Sequence, residues 1–345
     1  NGYIYHSGIQ SGDSDFIING SHPVEIAGDG KGEFASLHLN NTASGVAPVS
    51  MKANFRINNF LTFSQNNQLD IGTHNLRFGP DAVIYNADSL RFIRTAGNAG
   101  DGGVTREYSE GYQNSFTYPV GTTSTSHPSN AYYTPATLTL NGTPESYGAI
   151  TVRPVGYEHP ATTVKGRSLT YFWKVSSEDI KLGGSSLTHE YIYSQFDVVT
   201  GTYISEDGYV PARFDLTTTS WSNGTTNDMD IDNNIIGNPF GSFLKSTSFI
   251  DGDYTAGDNN PSNPFGQPEI YYSKNSGRWS IAGNWSTTGH NGNASTTVPG
   301  AGDIVIIGGN DSIWLGNTNN NIANQDVRNC AILKIESGSA LDITY

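Results

Sequence analysis

Cysteine is almost absent from this 345-residue chain, and that scarcity limits its architecture. Cys330 is the only cysteine, so no disulfide can form within the chain. A small scaffold held together by disulfides is therefore excluded, although a protein of this length can build a core without them. Cys330 stands beside Ala331, and we predict that it is a small buried apolar residue without thiol chemistry.

Positive charge and long apolar runs are scarce as well. The chain has 18 Lys and Arg against 32 Asp and Glu, a formal charge of −14. A phosphate backbone or an anionic bilayer is repelled on average, so we expect no nucleic-acid partner. No apolar run approaches the roughly 18 residues that cross a bilayer, so we expect no membrane insertion. No signal segment precedes Asn1, and we expect that the start has been cut.

The residues that are abundant predict an all-β protein. Forty Gly, 19 Tyr and 15 Phe accompany only 14% charged residues, which suits short strands joined by tight turns. Helices are rich in Ala, Leu, Glu and Lys instead. The length favours two or three domains.

Short bursts of alternating apolar residues occupy positions 34 to 85. The alternating residues are Leu37, Leu39, Leu61, Phe63, Leu69, Ile71, Leu76, Phe78 and Val83. Turn formers such as "QNNQ" and "GTHN" separate the bursts. Strands and turns this short leave little room for long crossings, so they predict a β-solenoid over residues 1–108.

The same pattern returns near the end of the chain. "LTFSQNNQLDIG" at 61–72 and "LKIESGSALDIT" at 333–344 align without a gap. We therefore predict the start of a second solenoid-like segment within 274–345. We expect that it belongs to a longer array or that a partner caps it.

Longer strand candidates occupy residues 109–273. They include "YTPATLTL", "GAITVRPV", "LTYFWKVSS" and "HEYIYSQFDV", with turn signals between them at intervals typical of a sandwich. We predict an immunoglobulin-like β-sandwich here, with Trp173 and Trp221 filling the space between its sheets. The fold class is thus all-β, with partial solenoid segments on both sides of a sandwich.

Four phrases are distinctive in combination, namely "NSFTYPVGT" at 114–122, "NNIIGNPFGSF" at 233–243, "SGRWSIAGNWST" at 276–287 and "VPGAGDIVII" at 298–307. With them the chain resembles modules of very large surface proteins of Bacteroidota. Proteins of that kind are exported by the type IX secretion system, and many serve adhesion or gliding motility. The resemblance implies an extracellular, cell-surface location and contact with adjoining modules or the secretion machinery.

No catalytic motif holds in context. The chain lacks a metalloprotease H-E-x-x-H, a P-loop, a G-x-S-x-G elbow and a dinucleotide G-x-G-x-x-G after a strand. Its eight His show no metal-ligand spacing. We predict no catalytic residues and a protein that is not an enzyme.

Two acidic clusters are candidate Ca²⁺ sites. In "NDMDIDNN", Asp228, Asp230, Asp232 and Asn234 offer oxygen ligands on one strand face. A solvated acidic edge that blocks aggregation explains the same alternation without a metal. The second cluster consists of Asp251, Asp253 and Asp258, in what the sequence predicts to be a loop.

Three functions remain open. The first is a non-enzymatic structural or adhesive module that projects a rigid β scaffold toward a glycan or another surface ligand. Its predicted glycan contacts are exposed aromatics, namely Tyr271, Tyr272 and Trp285. The second is a secreted polysaccharide-degrading enzyme of the lyase kind on a β-helix, which needs a calcium-holding acidic cluster and a Lys or Arg base that face the same groove. The third is a spacer or filament subunit whose ends stack on other modules.

Overall fold

Stacked parallel coils form the first part of the chain. In the computed structural model, residues 2–45, 47–111, 115–237, 240–260, 262–315 and 328–343 are described. The first strands are β1 (Gly2–Tyr5), β2 (Asp15–Gly20), β3 (Val24–Ala27), β4 (Gly32–Asn41), β5 (Val49–Met51), β6 (Phe55–Phe63), β7 (Leu69–Gly72), β8 (Asn75–Phe78), β9 (Val83–Tyr85), β10 (Ile93–Thr95) and β11 (Gly103–Glu107).

Two parallel sheets face each other in these coils. The back sheet follows the order β1, β3, β5, β7, β10, and the front sheet follows β2, β4, β6, β8, β11. Leu37 of β4 lies opposite Leu61 of β6, and both side chains are fully buried. Inward residues therefore stack from coil to coil, and the predicted solenoid is confirmed.

Val83 departs from the predicted inward pattern. It is 40% exposed because β9 pairs with the second half of β6 and turns Ile84 toward the core instead.

Strands with mainly antiparallel pairing follow residue 111. They are β12 (Ser115–Tyr118), β13 (Val120–Thr122), β14 (Tyr132–Tyr133), β15 (Ala136–Asn141), β16 (Ala149–Val155), β17 (Phe172–Glu178), β18 (Ser186–Ile192), β19 (Tyr209–Asp215), β20 (Ser220–Asn223), β21 (Met229–Asp230), β22 (Ile235–Ile236) and β23 (Gly252–Asp258). Short 3₁₀ helices span Gln195–Asp197, Glu206–Gly208, Thr226–Asp228 and, further on, Ala282–Asn284.

An aromatic core fills the sandwich that these strands form. One sheet has the order β12, β15, β18, β22, β21, and the other contains β16, β17, β23, β19 and β20. The ring of Trp173 on β17 lies 4.9 Å from that of Tyr191 on β18, across the two sheets. Tyr254 stacks on Tyr191 at 5.1 Å, and all three are completely buried. The prediction for Trp173 is confirmed.

The solenoid and the sandwich share one sheet. β11 pairs in parallel with β8 on one side and antiparallel with β16 on the other, with Val104 opposite Val152. The front sheet therefore runs through the predicted boundary at residue 108 without a break in its hydrogen bonds. The back sheet also crosses that boundary, because β13 pairs in parallel with β10.

A second set of parallel coils follows the sandwich. Its strands are β24 (Ile270–Ser273), β25 (Gly277–Arg278), β26 (Trp285–Ser286), β27 (Ile304–Ile307), β28 (Ser312–Trp314), β29 (Ile332–Ile335) and β30 (Ala340–Asp342). β24, β27 and β29 form one parallel ladder, and β25, β28 and β30 form another. The second solenoid thus begins at Ile270, slightly before the predicted residue 274.

The internal repeat corresponds to one structural unit. Leu61 lies on β6 and Leu69 on β7, while their counterparts Leu333 and Leu341 lie on β29 and β30. Both stretches are a strand, a corner and a strand of a coil, apart from Thr344, which lies outside the described residues. Cys330 is half-buried and packs beside the core of this second solenoid, so its predicted full burial is wrong.

Trp221 has a different place from the one predicted. It is buried, but it packs with Phe214, Phe265 and Ile304 in a cluster between the sandwich and the second solenoid. Its side chain therefore joins two parts of the fold rather than the two sheets of the sandwich. Among the described residues, no helix is long and apolar enough to cross a membrane.

Candidate functional site

The outward face of the front sheet presents exposed aromatic and amide side chains. We call this surface the Phe60 face and define it by ten residues on or directly after β2, β4, β6 and β9: Ile17, Asn19, His38, Asn40, Phe60, Thr62, Ser64, Gln65, Val83 and Tyr85. The strand register aligns Ile17, His38, Thr62 and Tyr85 in one row across the four strands. Four strands spaced as in ordinary sheets make this surface roughly 14 Å wide.

Strand alternation explains why these residues point outward. Leu37 and Leu39 are fully buried between the sheets, so His38 and Asn40 lie on the opposite side of β4. On β6, burial of Leu61 directs the neighbouring Phe60 outward in the same way.

The apolar part of the Phe60 face is an aromatic pair with aliphatic neighbours. The rings of Phe60 and Tyr85 lie 5.5 Å apart at 39°, and the side chains are 40% and 45% exposed. Ile17 is 50% exposed on the far side of the same face. His38 and Thr62 separate Ile17 from Tyr85 in their row, so the exposed aromatic pair is bordered by polar groups, as the apolar patches of binding sites often are.

A ladder of amide hydrogen bonds holds the polar part in place. Asn40 Nδ2 donates to Asn19 Oδ1 at 2.8 Å, and Gln65 Nε2 donates to Asn40 Oδ1 at 2.8 Å. His38 Nε2 and Ser64 Oγ lie 2.6 Å apart beside it. Within the described part of the chain, Asn19 Nδ2 and Gln65 Oε1 have no protein partner, so a donor and an acceptor remain for a ligand.

A network of ion pairs borders the Phe60 face on the side of the sandwich. Arg56 Nη2 and Arg77 Nε each donate to one oxygen of Glu107, both at 2.6 Å. Arg77 Nη1 also donates to Glu178 on β17 at 3.0 Å. Burial opposes the charge of Arg77, but these bonds outweigh it and raise the pKa of Arg77. The network neutralises both arginines and connects the solenoid to the sandwich.

Asp228, of the first predicted calcium cluster, has a structural role. Its Oδ2 accepts hydrogen bonds from the backbone N–H and the hydroxyl of Thr225, and its Oδ1 accepts one from the N–H of Phe243. Burial alone would raise the pKa of Asp228, but these donors outweigh it and lower the pKa below its ordinary value. The carboxylate therefore caps a short 3₁₀ helix and fixes the following loop.

The other members of that cluster do not converge on Asp228. Asp230 accepts hydrogen bonds from the backbone and side chain of Asn233, and Asp232 is exposed. The side-chain amide of Asn234, in the orientation that satisfies its hydrogen bonds, donates to the carbonyl of Ile231 and accepts from the N–H of Gln195. Across the residues that the structure describes, no group of three or more His, Cys, Asp or Glu could hold a metal ion.

The second acidic cluster lies around a buried strand, so its predicted loop is wrong. β23 is buried throughout because it is paired on both sides, with β17 and with β19. Asp251 at its edge accepts the N–H of Ser177 at 2.6 Å. Asp253 bonds His159 at 3.1 Å, and Asp258 pairs with Arg167 at 3.0 Å. The three carboxylates thus stabilise three separate contacts.

Two of the three predicted glycan contacts are inaccessible. Trp285 is completely buried, and Tyr271 is 2% exposed, because both pack in the core of the second solenoid with Trp279 and Val305. Tyr272 is half-buried, with its ring 5.3 Å from that of His290. The expectation that these aromatics are exposed is therefore wrong for Tyr271 and Trp285.

Phe60 and Tyr85 are the aromatics that the sequence interpretation missed. The signal was present in "NNFLTF" at 58–63, where Phe60 falls out of phase with the inward Leu61 and Phe63. An aromatic residue at the outward phase of a predicted strand points to a binding surface.

Comparison with known proteins finds no matching family model, no matching curated protein and no matching solved structure.

Proposed function

We propose that this chain is a non-enzymatic, rigid attachment module of a large cell-surface protein of Bacteroidota. The continuity of the front sheet from solenoid to sandwich carries the proposal. Hydrogen bonds join β8, β11 and β16 in sequence, so the Phe60 face is held on the same sheet as the sandwich core. A rigid mount of this kind keeps a binding surface in a fixed direction.

Two contacts between parts of the fold support the same function. The pair of Arg77 and Glu178 spans the joint between the first solenoid and the sandwich, and Trp221 shares a buried cluster with Ile304 of the second solenoid. Each contact couples neighbouring parts of the chain, so bending at either joint requires the loss of packed or paired groups. A scaffold that transmits force between modules benefits from such coupling.

The lyase and spacer alternatives have less support. The predicted acidic clusters lie in and beside the sandwich, where all their carboxylates except that of exposed Asp232 already bond protein groups. A spacer needs rigidity alone, whereas the Phe60 face adds an ordered exposed surface. The type IX export route and the extracellular location rest on the sequence resemblance and are part of the proposal.

Adhesion under flow tests the proposed function. Beads coated with the purified chain are passed over bare, protein-coated and polysaccharide-coated glass, with albumin-coated beads as the control. The proposal predicts that the chain retains beads on at least one surface at a shear that removes the controls. Retention equal to albumin on all three surfaces would contradict it.

A further inference from the structure

We propose that the Phe60 face binds a neutral polysaccharide chain. The proposal rests on the attachment function above and names its ligand class. Three features of the described residues carry it: an exposed aromatic pair, an ordered amide ladder beside it, and the lack of Lys and Arg in the rows of the face, where Asp15 of β2 is the charged residue in line with Phe60 and Val83.

The aromatic pair provides the surface on which a sugar ring packs. The C–H faces of pyranose rings are apolar, and they pack on the exposed faces of aromatic side chains. Phe60 and Tyr85 lie at neighbouring rows of β6 and β9, so their rings form one apolar platform with Val83. Each aromatic side chain has only about two rotatable bonds, so little side-chain conformational entropy is lost when a ligand binds.

The amide ladder supplies hydrogen bonds to sugar hydroxyls. Asn19, Asn40 and Gln65 are oriented by their mutual bonds at 2.8 Å before any ligand arrives. The donor on Asn19 and the acceptor on Gln65 that face solvent match hydroxyl groups, which both donate and accept. Thr62 lies between the ladder and the aromatic pair in the row that also contains His38 and Tyr85.

Charge selects a neutral ligand over an anionic one. The chain has a formal charge of −14, so the field around the face repels polyanions. Arg56 and Arg77, which lie on the same sheet, are bound to Glu107 and Glu178. No cation of the ion-pair network is therefore left to attract a uronic acid or sulfate group.

Affinity electrophoresis in native gels tests the ligand class. The gels contain a soluble β-glucan, a mannan or a xylan as neutral probes, or alginate as the anionic probe. We expect at least one neutral polysaccharide to retard the wild-type chain and alginate to have no effect. Retardation by none of the neutral probes, or by alginate alone, would overturn the proposal.

Variants locate the binding surface. Phe60→Ala and Tyr85→Ala are each expected to weaken retardation by about fivefold, because each removes about one stacking contact. Tyr3→Ala is the matched control, since Tyr3 is 67% exposed on the back sheet. Thermal unfolding confirms that each variant is folded. Undiminished retardation in the Phe60 and Tyr85 variants would place the binding elsewhere and overturn the proposal.

Two other results separate this inference from the function on which it rests. Concentration-dependent dimers of the wild type that Phe60→Ala abolishes would assign the face to a second copy of the chain and overturn the glycan proposal. Beads that adhere to protein-coated glass without any polysaccharide retardation would leave the attachment function standing and reject its glycan ligand.

Discussion

Arg77 and Glu178 meet across the joint between the solenoid and the sandwich, 101 residues apart in sequence. Arg77 Nη1 lies 3.0 Å from Glu178 Oε2. Between their strands, β16 presents the small Ala149 directly opposite Glu178. The arginine can therefore extend from β8 to β17 over its neighbours on the same sheet.

We expect unequal effects when the two acidic partners of Arg77 are neutralised. Glu178→Gln should cost less than about 1 kcal/mol of unfolding free energy, because Glu178 is 63% exposed. Glu107→Gln should cost about 1.5–3 kcal/mol, because Glu107 accepts from two arginines and is 21% exposed. Urea unfolding measures the unfolding free energy of both variants, and equal losses would contradict the described geometry.

Gly103→Ala tests the joint itself. Gly103 begins β11 with φ at +76°, and an added Cβ would lie 2.6 Å from the carbonyl oxygen of Val152. We expect a loss of about 1–3 kcal/mol from backbone strain and displacement of β16. Gly8→Ala is the control, since an added Cβ there meets nothing within 4 Å. Equal stability of the two variants in urea unfolding would show that the joint is not tightly packed.

Buried His189 should make stability depend on pH. Burial lowers the pKa of His189 to about 3 in the folded chain. Below the unfolded pKa near 6.5 the unfolded state takes up a proton that the folded state does not, so stability falls as pH decreases from about 6.5 toward 3. His189 alone should remove about 1.4 kcal/mol between pH 7.5 and 5.5.

The His189→Gln variant isolates that contribution. It should lose the pH-dependent difference of about 1.4 kcal/mol while also being less stable at pH 7.5. His22→Gln is the control, because His22 is exposed. Urea unfolding at pH 7.5 and 5.5 measures the difference in unfolding free energy for each protein. If that difference is the same in the His189 variant as in the wild type, other groups cause the pH dependence.

Asp228 should stabilise the fold whether or not calcium is present. Asp228→Asn replaces one of the two oxygens that accept from Thr225 and Phe243 with an NH2 group that faces a donor, and it should cost about 1–3 kcal/mol. Asp230→Asn should cost less, because Asp230 bonds only the nearby Asn233. Thermal unfolding with excess calcium and with EDTA measures both. A large fall in the wild-type midpoint on adding EDTA alone would restore the calcium-site interpretation.

Truncation of Trp285 should cost far more stability than truncation of Tyr85. Trp285→Ala leaves a cavity at a completely buried position and should cost about 3–5 kcal/mol of stability in the second solenoid. Tyr85→Ala should cost less than about 1 kcal/mol, because Tyr85 is 45% exposed. Thermal unfolding followed by tryptophan fluorescence compares them. A greater loss from Tyr85→Ala would mean that Tyr85 is a core residue.

Local patterns predicted much of this fold. Alternation of Leu37, Leu39, Leu61 and Phe63 identified the inward face of the coils because period-two burial is set by each strand alone. The repeat of 61–72 at 333–344 identified a second solenoid for the same reason. Pairing of β11 with β16 was not predicted, because it depends on tertiary contacts between strands of different segments.

The candidate site depended even more on tertiary context. Asp253 stands in "DGDYTAGD", whose Gly and Asp residues suggest a loop, yet pairing with β17 and β19 makes it a central strand. Trp285 and Phe60 are both aromatics near turn formers, and only the stacking of coils decides which one is buried.

A distance measurement between the two ends of the fold tests the central claim of rigidity most directly. Spin labels are placed at cysteines introduced at the exposed Ser21 and Ser280, in a Cys330→Ala background. Pulsed electron resonance then gives the distribution of distances between the first and second solenoids. A rigid module should give a single narrow distribution of label-to-label distances that matches the structure. A broad distribution, or several separate distances, would show that the joints bend and would contradict the proposed rigid module.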